Sequence, residues 1–226
     1  MTSSQLSQPR KRARQAGQKL ERRQAILDAA WQAFHTTPYG ELTVAAIARE
    51  TGLAKGTVFL YFRTKEEIFL AVTGQQMTEW FNAVDDRLAQ LPAPATTEDI
   101  VEIIAGSLQE RVYFTRLLAI LSTVLEQNAN YDAVLHFKQL LLIRLARTGA
   151  LLERALGFLQ PGEGAHLLMQ LEALVIGLRH LADAAPVVRQ LMTLEEMRAF
   201  DVDFDAEFRQ LALAMLRGMK GSLMRD

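Results

Sequence analysis

Apolar residues along this chain recur at intervals of three and four, and no stretch alternates with the period of two that a half-buried strand needs. Ile26, Leu27, Ala30, Ala33 and Phe34 form one such stripe and predict a helix from about 18 to 36. Thr43 reads as the N-cap of a short second helix, its hydroxyl accepting from an orphan amide. Thr64 opens a longer helix whose face of Phe69, Val72, Trp80, Phe81, Val84, Leu88 and Leu91 runs out to Pro92. Thr64-x-x-Glu67 predicts a capping box at its start. Residues 91–97 break the pattern, and Thr96 or Thr97 caps the next element. Helices then follow near 98–110, 112–127, 131–157, 163–184 and 205–220, with turns at 128–130 and Pro161-Gly162. The expected fold class is all-α, a small three-helix head followed by a larger helical body.

Between the first helix and the long one, residues 43–65 meet several packing demands at once. Ala48 is small where two helices must come close, and Gly52, four residues on, permits the positive φ that turns the chain. Leu53 and Val58 supply apolar contacts across the turn. This is the spacing of a helix-turn-helix, whose second helix enters a DNA major groove. The bland alternative is an αα-hairpin inside a helical protein. The run Lys55-Gly-Thr-Val-Phe-Leu-Tyr-Phe-Arg-Thr-Lys-Glu-Glu-Ile-Phe69, with Ala25–Phe34 and Gly40–Ile47 upstream, resembles the TetR family of bacterial transcriptional regulators. The resemblance covers about residues 20–75 and implies a DNA-binding head on a helical, dimerising, ligand-binding body.

The candidate DNA-binding residues are Thr43, Lys55, Gly56, Thr57, Phe59, Tyr61 and Lys65. Lys55 opens the recognition helix, where an ammonium reaches a phosphate or a guanine edge. Gly56 lets DNA backbone come close, and Thr57 offers a hydroxyl and a methyl. Thr43 and Lys65 stand at helix N-termini, which favour phosphate. The resemblance implies that Phe59 and Tyr61 meet DNA, Tyr61 through its hydroxyl; core packing competes for Phe59, while Val58 and Phe62 face the core. Ala45 can touch a thymine methyl but makes no hydrogen bond, which leaves sequence readout to the recognition helix. Arg22 and Arg23 extend the basic surface.

Charge sharpens the division. Residues 1–65 carry 11 Lys and Arg against 4 Asp and Glu, and residues 66–226 carry 14 against 22. A basic end coincident with the motif fits nucleic acid, and an acidic remainder is repelled by it. Residues 1–16 are expected to be a disordered basic arm, in which Arg10, Lys11, Arg12 and Arg14 either contact DNA or only solubilise. The DNA-binding domain then spans 17–65 and the body 66–226, with 66–91 as a connector. There is no cysteine, no apolar run of membrane-spanning length and no secretory h-region, which suits a cytoplasmic protein.

In the body, the stripes around Leu171, Leu174 and Leu178 and around Phe208 and Leu216 are the expected dimer interface, two helices from each chain forming a four-helix bundle. Candidate pocket residues are Tyr113, Arg116, Leu121, Leu125, His136, Phe137, Met169 and Gln170. No cofactor or metal is expected, and no nucleophile elbow or phosphate loop suggests an enzyme. The expected function is a dimeric, ligand-responsive regulator, a repressor released from operator DNA (a palindrome, by the dimer's symmetry) by a mostly apolar small molecule. The alternatives are an activator or an effector-free architectural protein and, further off, an enzyme on a helical scaffold.

Overall fold

The structure, a computed structural model, describes the backbone of residues 7–223 and the side chains of residues 15–221. Among the described residues every regular element is helical. The head comprises α1 (Ser7–Thr36), α2 (Val44–Glu50) and α3 (Lys55–Val58). α4 (Lys65–Gln90) leaves the head and crosses the body. The body adds α5 (Thr97–Gln109), α6 (Val112–Ile120), a π-helical turn (Leu121–Leu125), α7 (Glu126–Asn128), α8 (Tyr131–Leu156), α9 (Glu163–Ala182), α10 (Pro186–Leu191), a 3₁₀ turn (Glu195–Phe200) and α11 (Phe204–Leu223).

α1 begins at Ser7, so residues 7–16 are helical where the composition suggested an irregular arm. Arg, Lys, Gln and Ala are good helix formers, and Pro9 lies in the first turn, where its missing N–H costs nothing. The side chains of Arg10, Lys11, Arg12 and Arg14 lie outside those described. Two short elements, α10 and the 3₁₀ turn, escaped the sequence reading because neither buries a stripe.

The caps follow from chemistry, with one correction. Thr96 and Asp99 form a full capping box, and the Asn130 side chain caps α8 by accepting from Ala133 N. The Thr64 hydroxyl accepts from Glu67 N at 3.1 Å, as a box requires. The Glu67 carboxylate, however, accepts from Arg63 N at 2.7 Å and from the Asn130 side chain, so the expected reciprocal bond is replaced by one that reaches the body. Glu67 is buried, and these two donors are what make a buried carboxylate tolerable there. The Thr64 hydroxyl also lies 3.4 Å from Asn128 O, a second link between the start of α4 and the α7–α8 turn.

Head and body share one apolar core. Phe69, fully buried, packs at a tilt against Phe34 of α1, 5.7 Å between centroids, and edge-on against Tyr39 at 5.2 Å. Further along α4, Met77, Trp80, Phe81, Val84 and Leu88 pass under α5, α6 and α8. Asp85, 2% exposed, fixes α4 to α8 by accepting from the Thr148 hydroxyl at 2.5 Å and pairing with Arg147 at 2.8 Å. α8 and α9 cross backbone to backbone: a Cβ on Gly164 would stand 2.1 Å from Gly149 O, and one on Gly149 2.6 Å from Ala165 N. Only glycine fits at that crossing.

Candidate nucleic-acid interface and cavities of the body

Thr43 caps α2 by accepting from Ala46 N at 3.1 Å. After α2 the chain reverses through Gly52 at φ +67°, and the Leu53 N–H donates to Ala48 O at 2.9 Å. Ile47 and Ala48 of α2 and Val58 of α3 are buried, and Phe62 closes the unit. α3 is a single turn, continued to Phe62 by hydrogen bonds from Tyr61 N and Phe62 N to Val58 O at 2.9 and 3.1 Å. Burying positions 58 and 62 turns Lys55, Gly56, Phe59, Leu60 and Arg63 outward. Phe59 is 42% exposed and Leu60 80%, so core packing of Phe59 is set aside. The Lys55 ammonium lies 5.7 Å from the Phe59 ring on the same surface. Leu60 and Arg63 belong to this surface although the sequence reading passed them over. Their signal was the four-residue spacing of the buried Val58 and Phe62.

Thr57 and Tyr61 are half-buried. Tyr61 stands with Leu60 at a cleft whose far side is Lys19 and Arg22 of α1, which brings α1's basic face beside the recognition helix. Arg23 turns away from this surface: its guanidinium lies over the Phe62 ring at 5.1 Å, and burial pulls its pKa down. Lys65 is half-buried, its ammonium donating to Tyr39 O at 2.9 Å and lying 4.2 Å over the Tyr39 ring. It braces the loop before α2 against α4, and a phosphate would have to compete with that carbonyl. The Tyr39 hydroxyl donates to Glu66 at 3.0 Å, and burial beside that carboxylate holds the phenol protonated far above its ordinary range.

The eight pocket candidates do not converge. Tyr113 and Arg116 line an open cleft of about 460 Å³ between head and body. His136 and Phe137 line an open groove of about 550 Å³ between α1, α4 and α8. Leu121 and Leu125 are packed in the core at the π-helical turn, Met169 is 55% exposed, and Gln170 meets His166 at 3.2 Å on the surface. Helices α6, α8 and α9 are apolar on more than one face, so periodicity could not say which residues point into a shared space. A smaller, mostly apolar interior space lies elsewhere, between α4, α5, α6, α8 and α9, with Trp80, Phe81, Phe114, Leu118, Leu145, Leu168 and Glu172 in its wall. Its volume is about 40 Å³, room for little more than water and well short of the ~300 Å³ typical of a small-molecule site. Burial raises the pKa of Glu172, with Glu126 adding to that shift and Lys138 opposing it.

The dimer candidates need a similar correction. Leu171, Leu178, Phe208 and Leu216 are buried within this chain, and only Leu174 is half-exposed. On α9 the inward stripe is Leu167, Leu168, Leu171, Val175 and Leu178, which turns Met169, Ala173, Gly177 and Leu181 outward. On α11 Leu211 is the exposed large apolar residue.

Residues 26–72 match the family model described as "Bacterial regulatory proteins, tetR family", and residues 74–222 match "Tetracyclin repressor-like, C-terminal domain". The fatty acid metabolism regulator protein of Bacillus subtilis is 29% identical over 73 residues, 32% of this chain and 38% of that protein. The regulator BetI of Escherichia coli is 29% identical over 89 residues, 39% of this chain and 46% of its own length. This chain thus spans less than half the length of these curated relatives. The solved structure of the fatty acid degradation regulator FadR from Bacillus halodurans shares the fold at 19% identity and a TM-score of 0.52, over 87% of this chain and 96% of that one. The two matched models together span nearly all of the chain, and the second alone covers well over half: the chain belongs to the TetR family of transcriptional regulators.

Proposed function

We propose that this regulator is a repressor that binds a palindromic operator as a homodimer in the cytoplasm and is released by a mostly apolar small molecule. The observation that carries this reading is α4. It begins at Thr64–Lys65, beside the recognition helix, and its Met77, Trp80 and Phe81 form a wall of the interior cavity. A ligand that swells the cavity would tilt α4 and change the separation of two recognition helices, which must match successive major grooves about 34–36 Å apart. Leu174, Leu181 and Leu211, on the outward faces of α9 and α11, are the residues we place between protomers. Two relatives are named for the regulation of fatty-acid metabolism and degradation, a chemistry of apolar chains, which suits an apolar effector here.

DNA contact is proposed at Lys55, Gly56, Thr57, Phe59 and Tyr61, with Thr43 and Lys65 at the two helix N-termini and Leu60 and Arg63 beside them. Selection from a random duplex library tests it: the wild type should enrich an inverted repeat that Lys55→Ala does not. Failure of the wild type to enrich any sequence would remove the DNA-binding reading. A second reading, an effector-free regulator, draws on the small interior volume. By linkage, an effector that weakens operator binding must bind the DNA-bound protein more weakly by the same factor. If a broad apolar-ligand screen finds no compound that shifts operator affinity, the effector-free reading stands.

A further inference from the structure

The open cleft between head and body is rich in basic side chains. One side is the C-terminal end of α1 and the 36–39 loop; the other is α6, the end of α9 and α10. Arg116, Arg179 and Arg189 stand in its wall with His35 and His180, against a single carboxylate, Asp183. Asp183 is taken by Arg116 in a bidentate pair at 2.9 and 3.0 Å, and Arg179 reaches it only at 3.9 Å. Asp205 also attracts Arg179 but is not part of the wall.

Arg179 is 7% exposed, and its guanidinium carbon lies over the Phe204 ring, 3.8 Å from the centroid. Its Nε is buried without a hydrogen-bond partner, and so is Nε2 of His35 across the cleft. A buried guanidinium held by an aromatic face, with a free donor edge, is the element that recognises a planar or tetrahedral oxyanion. At about 460 Å³ the space is of small-molecule size.

We propose that this junction cleft binds a small molecule through a carboxylate or phosphate group held by Arg179, Arg116 and Arg189. The site is separate from the interior apolar cavity, and binding there does not depend on the function proposed above. Its regulatory meaning does rest on that reading. An occupant would touch Tyr39, whose carbonyl holds Lys65, and would bridge the head to α6 and α9. Anion and operator would then bind with coupled affinities.

The two tryptophans make the test. Trp31 lies 4.5 Å from the His35 ring and 6.4 Å from Tyr113, at the junction, and Trp80 lines the interior cavity. In Trp80→Phe protein at constant ionic strength, pyrophosphate and citrate should be titrated separately while Trp31 fluorescence is read. A saturable change is expected with at least one probe, and which one responds distinguishes phosphate from carboxylate ligands. Arg189→Gln should weaken binding by about tenfold, the worth of one charge-assisted hydrogen bond. Asp183→Asn should tighten it, because the competing carboxylate is gone, and misfolding cannot mimic a gain. Calorimetry on the wild type with the same probes covers the case in which Trp80→Phe does not fold. No saturable binding of either anion, unchanged affinity in both charge variants, or a response carried by Trp80 in Trp31→Phe protein would each overturn the proposal. None of these results would disturb the operator reading, which selection on DNA tests alone.

Discussion

The helices of the head keep most of their apolar residues on one buried face, with Leu20, Phe59 and Leu60 as the exposed exceptions, whereas the long body helices carry broad apolar surfaces that point both inward and outward. In the head, Ile47, Ala48, Val58 and Phe62 go inside and Lys55, Gly56 and Arg63 stay out. In the body, α8 buries Phe137, Leu145 and Leu152 yet leaves Leu142 and Ile143 68% and 66% exposed. A narrow stripe has one way to pack, so its residue roles follow from period alone. A wide one has several, and only the neighbouring helices choose between them. Surplus apolar surface on a regulator's body is what a partner protomer or a ligand would cover.

The largest effect should come from the place where the two regions meet. Phe69→Ala removes a fully buried ring shared by α1 and α4, and should cost about 3–5 kcal/mol. Because head and body share one core, chemical denaturation should show one transition moved to lower denaturant; two separated transitions would mean that the head unfolds by itself. Gly164→Ala tests the most closely packed part of the body. Its methyl would collide with Gly149 O and force α8 and α9 apart, at about 1–3 kcal/mol by thermal unfolding. A wild-type melting temperature would show that the crossing is slack.

Lys55→Ala should leave stability unchanged, since the residue is exposed, while weakening operator binding by about tenfold and flattening the salt dependence by about one charge. Loss of stability instead would turn the outward face of α3 into a structural one. The smallest effect is a pH dependence from Glu172. Its folded pKa is raised by burial, so the folded chain holds a proton that the unfolded chain releases, and stability should fall as pH rises through and above the ordinary carboxylate range. Glu172→Gln should remove that slope in denaturation curves taken across pH; an unchanged slope would assign it to another group.

How far the sequence reaches can be followed at single residues. Thr43, Gly52, Val58 and Thr96 were legible because each answers a local demand: an orphan amide, a positive φ, a buried position or a capping box. Glu67 was legible as a capping residue but not as a link to Asn130, 63 positions away, since no local rule contains that distance. Lys65 is legible as a cation at a helix N-terminus, but not its bond to the Tyr39 carbonyl, which lies on a loop whose path the sequence does not specify. Leu178 and Phe208 looked available to a partner because hydrophobicity records that a residue will be covered, not by which chain. The junction arginines are scattered over positions 116, 179 and 189 and had no motif to announce them.

The glycine crossing of α8 and α9 bears on which wall of the interior cavity would give way under the proposed mechanism. Leu141 and Leu145 on one helix, and Leu168, Leu171, Glu172 and Val175 on the other, form a pair that is already at backbone contact. That pair is an anvil. The opposite wall, made by Met77, Trp80, Phe81, Ile104, Leu108, Phe114 and Leu118, is joined by side chains rather than by backbone contact (Trp80 to Ser107, and Asp85 of the same helix to Thr148 and Arg147), and its first three residues sit on the helix that carries the head. On the proposed mechanism, a guest too large for the space would press on the side that is mechanically joined to the recognition helix. Two absent side chains, far from DNA, would give the expansion its direction.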